Sequence, residues 1–270
     1  NGTIDSTSQN PTYQYTTAGT YSVKLTVTDT AGKTGYLIKT DYITVSSSSG
    51  GGGVDPSNGS GGTTGPGNVW DFATTGIGSG HVYIYIPTSY NPSVVASPTI
   101  WLFNEEISQW KAIADANNII LVDLDEYNDT NAYVNKINAV NPELEAKYNV
   151  DRGRRYFAGW SAGGNIVVML GSANQDFLVA TMVFPGTGGN YAYNYLRSWT
   201  GHKIRLYYAC GDQDPNYDWT VVQNEANVFA GLGYTTRFDK VVGCGHYIDE
   251  NTYHKRQDAW DWVKNFNMKN

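Results

Sequence analysis

The chain has 270 residues, 40% of them hydrophobic and 16% charged, a balance that excludes intrinsic disorder and allows one sizeable core plus a small appendage. A formal net charge of −7 argues against a phosphate-backbone partner, because nucleic-acid binding needs a basic footprint. No run approaches the ~18 apolar residues of a membrane span, and the chain opens at Asn1 rather than Met, which is compatible with a signal peptide removed by processing. Tyrosine (21) and tryptophan (8) together far outnumber phenylalanine (8), which leans towards an extracellular protein whose surface touches carbohydrate or polymer. Asn1, Asn58 and Asn128 each open a glycosylation acceptor tripeptide. The two cysteines, Cys210 and Cys244, cannot build a tetrahedral metal site, and nothing in the chain calls for a metal or cofactor.

In chain order, residues 1–46 read as β structure. Tyr21, Val23, Leu25 and Val27 alternate with Ser22, Lys24 and Thr26, as in a half-buried strand. Ala18-Gly19 and Asp29-Thr30-Ala31-Gly32 are the predicted turns around it, and a second strand runs from Tyr36 to Val45. Residues 47–68 form a Gly/Ser-rich linker with nothing to bury. From Val69 onwards strands and helices alternate, which predicts an α/β domain with a mostly parallel sheet covered on both faces. Strands are expected at His81–Ile86, Thr99–Phe103, Ile119–Val122, Arg155–Ala158, Val179–Phe184, Ile204–Ala209 and Thr235–Val242. Helices are expected at Ile107–Ala116, Tyr133–Tyr148, Ala162–Leu170, Val221–Ala230 and Gln257–Phe266.

The chemistry centres on Gly159-Trp160-Ser161-Ala162-Gly163, a G-x-S-x-G pattern between a predicted strand and a predicted helix. Such an elbow lifts a serine hydroxyl off the sheet edge, and the helix N-terminus behind it favours an oxyanion. Ser161 is therefore the expected nucleophile. The acid and base should follow in the order Ser, acid, His. Gly211-Asp212-Gln213-Asp214-Pro215 offers two carboxylates; Asp214 lies deeper in the loop and is preferred, with Asp212 as the fallback that would otherwise brace the turn. Of the four histidines, His246 follows the last strand in a Gly-rich loop and is the expected general base. His81, His202 and His254 read as surface or packing residues.

Two resemblances follow from these segments. Asn10 to Tyr15 and Ala18 to Val27 resemble the second half of a PKD domain, an immunoglobulin-like sandwich, without that family's upstream acidic Gly-rich turn. This implies a spacer or adhesive module on a secreted or cell-surface protein. Val82 to Tyr90, Val150 to Gly164 and the Gly211 and Gly245-His246 loops resemble the α/β-hydrolase esterases of the polyhydroxybutyrate depolymerase-like and feruloyl esterase-like branch. That resemblance implies a three-layer hydrolase domain over residues 69–270. It implies a secreted serine esterase acting on polymer or polysaccharide-linked esters, with a peptidase of the same fold as a further option.

The expected oxyanion donors are Ala162 with Asn104 or Glu105. Here the chain departs from its relatives, reading Phe103-Asn104-Glu105-Glu106 where they carry His-Gly and further glycines. Two carboxylates would oppose an oxyanion unless they point to solvent, which favours the alternative of an inactive surface protein with a structural or adhesive role. Cys210 and Cys244, at the ends of neighbouring strands, are expected to form a disulfide tying the acid loop to the histidine loop. Trp160, Tyr127, Tyr217, Trp219 and Tyr247 are the candidate aromatic substrate platform, in loops at the strand C-terminal ends.

Overall fold

A computed structural model describes residues 6–8, 19–30, 32–45, 65–93, 95–127 and 129–268. The expected glycosylation sites Asn1, Asn58 and Asn128, most of the Gly/Ser linker, and the PKD-like stretch from Asn10 to Ala18 lie outside these residues. The chain divides into two compact units, residues 1–50 and 51–270.

In the first unit, β1 (Gly19–Thr28) and β2 (Thr34–Val45) pair antiparallel, with a register shift between Tyr21 and Val23. Asp29 closes the turn, its Oδ1 accepting the Lys33 N–H. Gly19, expected in a turn, is the first strand residue. Leu25, Val27, Tyr36, Leu37 and Ile38 are exposed; among the described residues of this unit these two strands form a single sheet.

The second unit carries an eight-stranded sheet in the order β10-β9-β8-β7-β5-β6-β4-β3. These strands are β3 (Val69–Ala73), β4 (His81–Tyr85), β5 (Ser97–Phe103), β6 (Ile120–Asp123), β7 (Val150–Trp160), β8 (Ala180–Phe184), β9 (Arg205–Gly211) and β10 (Thr235–Val241). β3 and β4 join antiparallel, and β6, β5, β7, β8, β9 and β10 run parallel. Of the parallel strands, β5 and β8 are buried along their whole length, as double coverage requires, whereas the edge strand β10 is mostly polar and half-buried.

The helices divide between two layers. α1 (Ile107–Asn117) and α7 (Lys255–Val263) cover one face, where Trp110, Ile113, Ala259, Trp260 and Val263 pack on Ile100, Leu102, Tyr156, Met182 and Tyr207. α2 (Thr130–Lys147), α3 (Ala162–Ala173), α4 (Gly189–Ser198) and α5 (Trp219–Gly231) cover the other, through residues such as Tyr133, Val140, Val167, Leu196 and Phe229. The short α6 (Glu250–Tyr253) leads into α7.

Several elements differ from the sequence reading, which anticipated neither β3 nor α6. α2 starts three residues earlier than expected, because Asp129 caps it by accepting the Asn131 and Ala132 N–H groups at 3.0 Å. β7 begins at Val150, extending back through Asp151 and Arg154, whose ion pair at 2.7 Å sits at its polar start. α4 was not anticipated, since its Gly189-Asn190 start and repeated tyrosines are weak helix formers; burial of Ala192 and Leu196 holds it instead.

α3 approaches the strand ends more closely than any side chain there would allow. A Cβ on Gly163 would lie 1.8 Å from the Phe103 carbonyl oxygen, and one on Gly164 would lie 2.2 Å from that of Pro185. Gly163→Ala should therefore cost about 2–3 kcal/mol through forced backbone displacement. Urea unfolding should show a lower midpoint with an unchanged slope, and an unaltered midpoint would refute this account of the contact.

Candidate active site

β7 delivers Trp160 to the C-terminal edge of the sheet, and α3 starts two residues later, so Ser161 must turn the chain within one residue. Its backbone sits at φ 55, ψ −118, a conformation that non-glycine residues adopt only under constraint. The turn places the Ser161 side chain at the N-terminus of α3, where the helix dipole and the first N–H groups favour negative charge.

The loops after β9 and β10 meet Ser161 there. His246 Nε2 lies 2.8 Å from Ser161 Oγ. His246 Nδ1 lies 3.1 and 3.0 Å from the two oxygens of Asp214. The Asp214 side chain is fully buried and that of His246 is 19% exposed. Asp214 Oδ1 also accepts the Asn216 and Tyr217 N–H groups at 2.8 and 3.1 Å, which fixes the carboxylate while its loop turns. Asp212 is used differently. Its Oδ1 accepts the Gly243 N–H at 2.8 Å and Oδ2 lies 3.7 Å from Lys240, so it ties the acid loop to the histidine loop.

The loop after β5 brings Asn104 and Glu105 beside the elbow, since Phe103 pairs with Gly159 across the sheet. Asn104 is left-handed at φ 49, a conformation asparagine tolerates better than most residues, and its Nδ2 donates to the Trp160 carbonyl at 3.2 Å. Glu105 does not point to solvent, as the sequence reading required of a harmless carboxylate. It turns inwards, accepting from Arg256 Nε at 2.6 Å, and both side chains are 1% exposed. Burial pushes the Glu105 carboxyl up, and the Arg256 guanidinium counteracts this. Glu106 remains at the surface, bonded to the Ser108 hydroxyl. Arg256, 151 residues further on, had no signal in the sequence; it resembles any other arginine of a terminal helix.

Four of the five candidate aromatics flank this arrangement. The Tyr217 ring is parallel to that of His246, with centroids 5.7 Å apart. Trp160 Nε1 donates to the His246 carbonyl at 3.0 Å, and Tyr247 meets the Trp160 ring edge-on. Tyr127, Trp160 and Tyr247 line a cavity of about 530 Å³ beside the elbow. Trp219 does not join them. It packs on the α5 side of the core, with the Lys240 ammonium over its ring at 4.1 Å.

The expected disulfide is corrected: Cys210 and Cys244 are free thiols. Cys210 shares a sheet face with Tyr208, towards the α5 layer, whereas Cys244 packs in the opposite core with Trp260. Their sulfurs accordingly turn to different carbonyls, Tyr217 for Cys210 and Tyr247 for Cys244. Burial, reinforced by Asp214, pushes the Cys210 thiol up to about 12. Thiol titration of the unfolded chain without reductant should find two thiols; finding none would restore the bridge.

Asp123, at the end of β6, is also perturbed. Burial, with Asp125 and Glu105 adding to it, raises its carboxyl to about 7 against an ordinary 3.8. Between about pH 4 and 7 the folded chain therefore holds a proton that the unfolded chain releases, so this group withdraws stability as pH rises through that window. Asp123→Asn should unfold a few degrees above wild type at pH 8, with the gap closing towards pH 4. Scanning calorimetry at both pH values checks this, and a gap that widens on acidification would contradict it.

Comparison with known proteins agrees with the architecture. Residues 2–45 match the PKD domain family. The S-formylglutathione hydrolase FrmB of Staphylococcus aureus superposes with a TM-score of 0.58 at 14% identity, over 73% of this chain and 96% of that one. FphF, a fluorophosphonate-binding serine hydrolase of the same organism, gives 0.56 at 14% identity, over 75% and 100%. Esterase 2 of Thermogutta terrifontis gives 0.54 at 11% identity, over 74% and 95%. No curated protein matches the chain by sequence. The larger unit thus has the α/β-hydrolase fold, and a PKD domain precedes it.

Proposed function

We propose that this chain is a secreted serine esterase that hydrolyses carboxylic ester bonds through an acyl-Ser161 intermediate. The observation that carries the reading is the 2.8 Å approach of His246 Nε2 to Ser161 Oγ, with Asp214 on the opposite ring nitrogen. That contact suits proton removal from the hydroxyl as it attacks an ester carbonyl, while Asp214 orients the imidazole and stabilises its charged form. The Ala162 N–H at the start of α3, with the Asn104 or Glu105 N–H, receives the oxyanion. His246 then returns the proton to the departing alcohol. Water repeats the sequence on the acyl-enzyme and regenerates the serine. No step requires a cofactor.

The structural relatives named as esterases and serine hydrolases support this reaction class, and the PKD domain supports an extracellular or cell-surface setting with assembly through that module. Polymeric or polysaccharide-linked esters are the substrates we favour within that setting. The inactive, adhesive alternative rested on the acidic loop after β5. Glu105 is engaged by Arg256 rather than turned on the oxyanion, which removes the main ground for it.

The test is release of p-nitrophenol from short-chain esters by wild type and Ser161→Ala. Wild type should turn over and the variant should lose about 10⁴-fold or more in kcat/KM. A fluorophosphonate probe should label Ser161 and no other residue. Equal rates for the two proteins, with no labelling, would reject the esterase.

A further inference from the structure

Ser161 and Asp214 occupy the two nitrogens of His246, which leaves the faces of the imidazole for any further support. Aromatic rings arrive there from both layers of the domain. The Trp160 ring, which packs with the α1 and α7 layer, has its centroid 5.0 Å from that of the imidazole. The Tyr217 ring packs with the opposite layer and lies within 3° of parallel to the imidazole, with centroids 5.7 Å apart. Tyr217 is absent from the wall of the cavity beside the elbow, which Tyr127, Trp160 and Tyr247 line. Its ring is directed to the base rather than to that space.

Tyr217 is tied to the acid as well as to the base. Asp214 opens a turn in which its Oδ1 accepts the Tyr217 N–H at 3.1 Å, so the carboxylate that holds Nδ1 also fixes where the Tyr217 side chain leaves the backbone. The Tyr217 carbonyl accepts from the Cys210 thiol at 3.6 Å, which anchors the far end of the turn to β9. A ring held in this way acts on the imidazole twice. Stacking resists rotation of the imidazole out of line with Ser161 Oγ. The negative face of the phenol ring also attracts the charge that His246 carries once it has taken the serine proton, and about 6 Å between centroids is within reach of that attraction. The His246 side chain is only 19% exposed, so water contributes little to meeting that charge.

We propose that Tyr217 is a positioning residue, whose ring holds the His246 imidazole in line with Ser161 and stabilises it while it carries the transferred proton. The proposal rests on the esterase reading and moves Tyr217 from the substrate platform to the support of the base. The proton passes from Ser161 Oγ to His246 Nε2 and on to the departing alcohol; Tyr217 neither gives nor takes one. His246 accepts a proton in acylation and again in deacylation, so loss of the ring slows both steps together. The signature is a fall in kcat with little change in KM, because KM follows the ratio of the two steps.

Two substitutions test it. Tyr217→Leu keeps apolar bulk and removes the aromatic face, with Tyr217→Met in its place should the leucine variant not fold; Tyr217→Phe removes the hydroxyl alone. On p-nitrophenyl acetate and butyrate alike, Tyr217→Leu should lose about tenfold in kcat with KM within about twofold of wild type. Tyr217→Phe should recover most of that loss. A raised KM with kcat preserved, or a loss confined to one ester, would make Tyr217 a substrate contact and overturn the proposal. A phenylalanine variant as slow as the leucine one would move the effect to the hydroxyl and overturn it equally. An unchanged kcat in Tyr217→Leu would do the same while leaving the esterase standing. Relaxation of the carbon-13-labelled His246 ring in the resting protein gives a readout that needs no turnover: the order parameter should fall in Tyr217→Leu and return in Tyr217→Phe, and equal values in all three proteins would refute the support. If wild type hydrolyses no ester and a fluorophosphonate does not label Ser161, the esterase reading fails, and the relaxation measurement alone decides whether Tyr217 holds the imidazole.

Discussion

The site depends on one close contact, that of the first turn of α3 against the ends of β5 and β8. Helix and strands meet there backbone to backbone, with Gly163 against Phe103 and Gly164 against Pro185. Because the helix cannot retreat, the single residue between β7 and α3 has to complete the turn, and Ser161 is held in a conformation it would not choose. Tertiary packing meets the cost of that geometry, which is how strained residues persist at reactive positions. The same contact draws the loop after β5 alongside the elbow, so Ser161 and nearby backbone donors are set by one packing decision.

A second constraint acts through charge. Glu105 and Arg256 join the loop after β5 to α7 by a pair almost wholly removed from water. Such pairs seldom gain much net stability over apolar substitutes, because both ions forfeit hydration. Their effect here is orientation. The carboxylate is drawn towards α7, the backbone of its loop stays beside the elbow, and the terminal helix becomes part of the site's support.

Much of this was legible in the amino-acid order. The elbow carries its own punctuation, the acid and base sit in turns just after strongly apolar strands, and these are local signals. Asp214 could be preferred over Asp212 from depth in the loop alone, and the two carboxylates indeed divide the tasks of holding the imidazole and tying the loops. What escaped were relations between distant segments. Nothing near Glu105 announces Arg256, and nothing in Gly189-Asn190 announces a helix whose stability comes from what it covers. The expected disulfide failed for a related reason. Neighbouring strand ends are readable from the pattern, but which side of the sheet each sulfur faces depends on loop geometry after β10, and Cys210 and Cys244 point into opposite layers. Trp219 misled in the same way, lying near the site in sequence while its ring packs elsewhere.

The unbridged cysteines bear on how the active centre is kept in register. Acid and base loops are joined by Gln213 N–H to the Cys244 carbonyl and Gly243 N–H to Asp212, with Gly211 pressed against the Cys244 backbone. All of these are non-covalent and indifferent to electron transfer. The reactive constellation can consequently assemble as the chain folds, with no oxidant or isomerase, and persists unchanged in a thiol-rich medium.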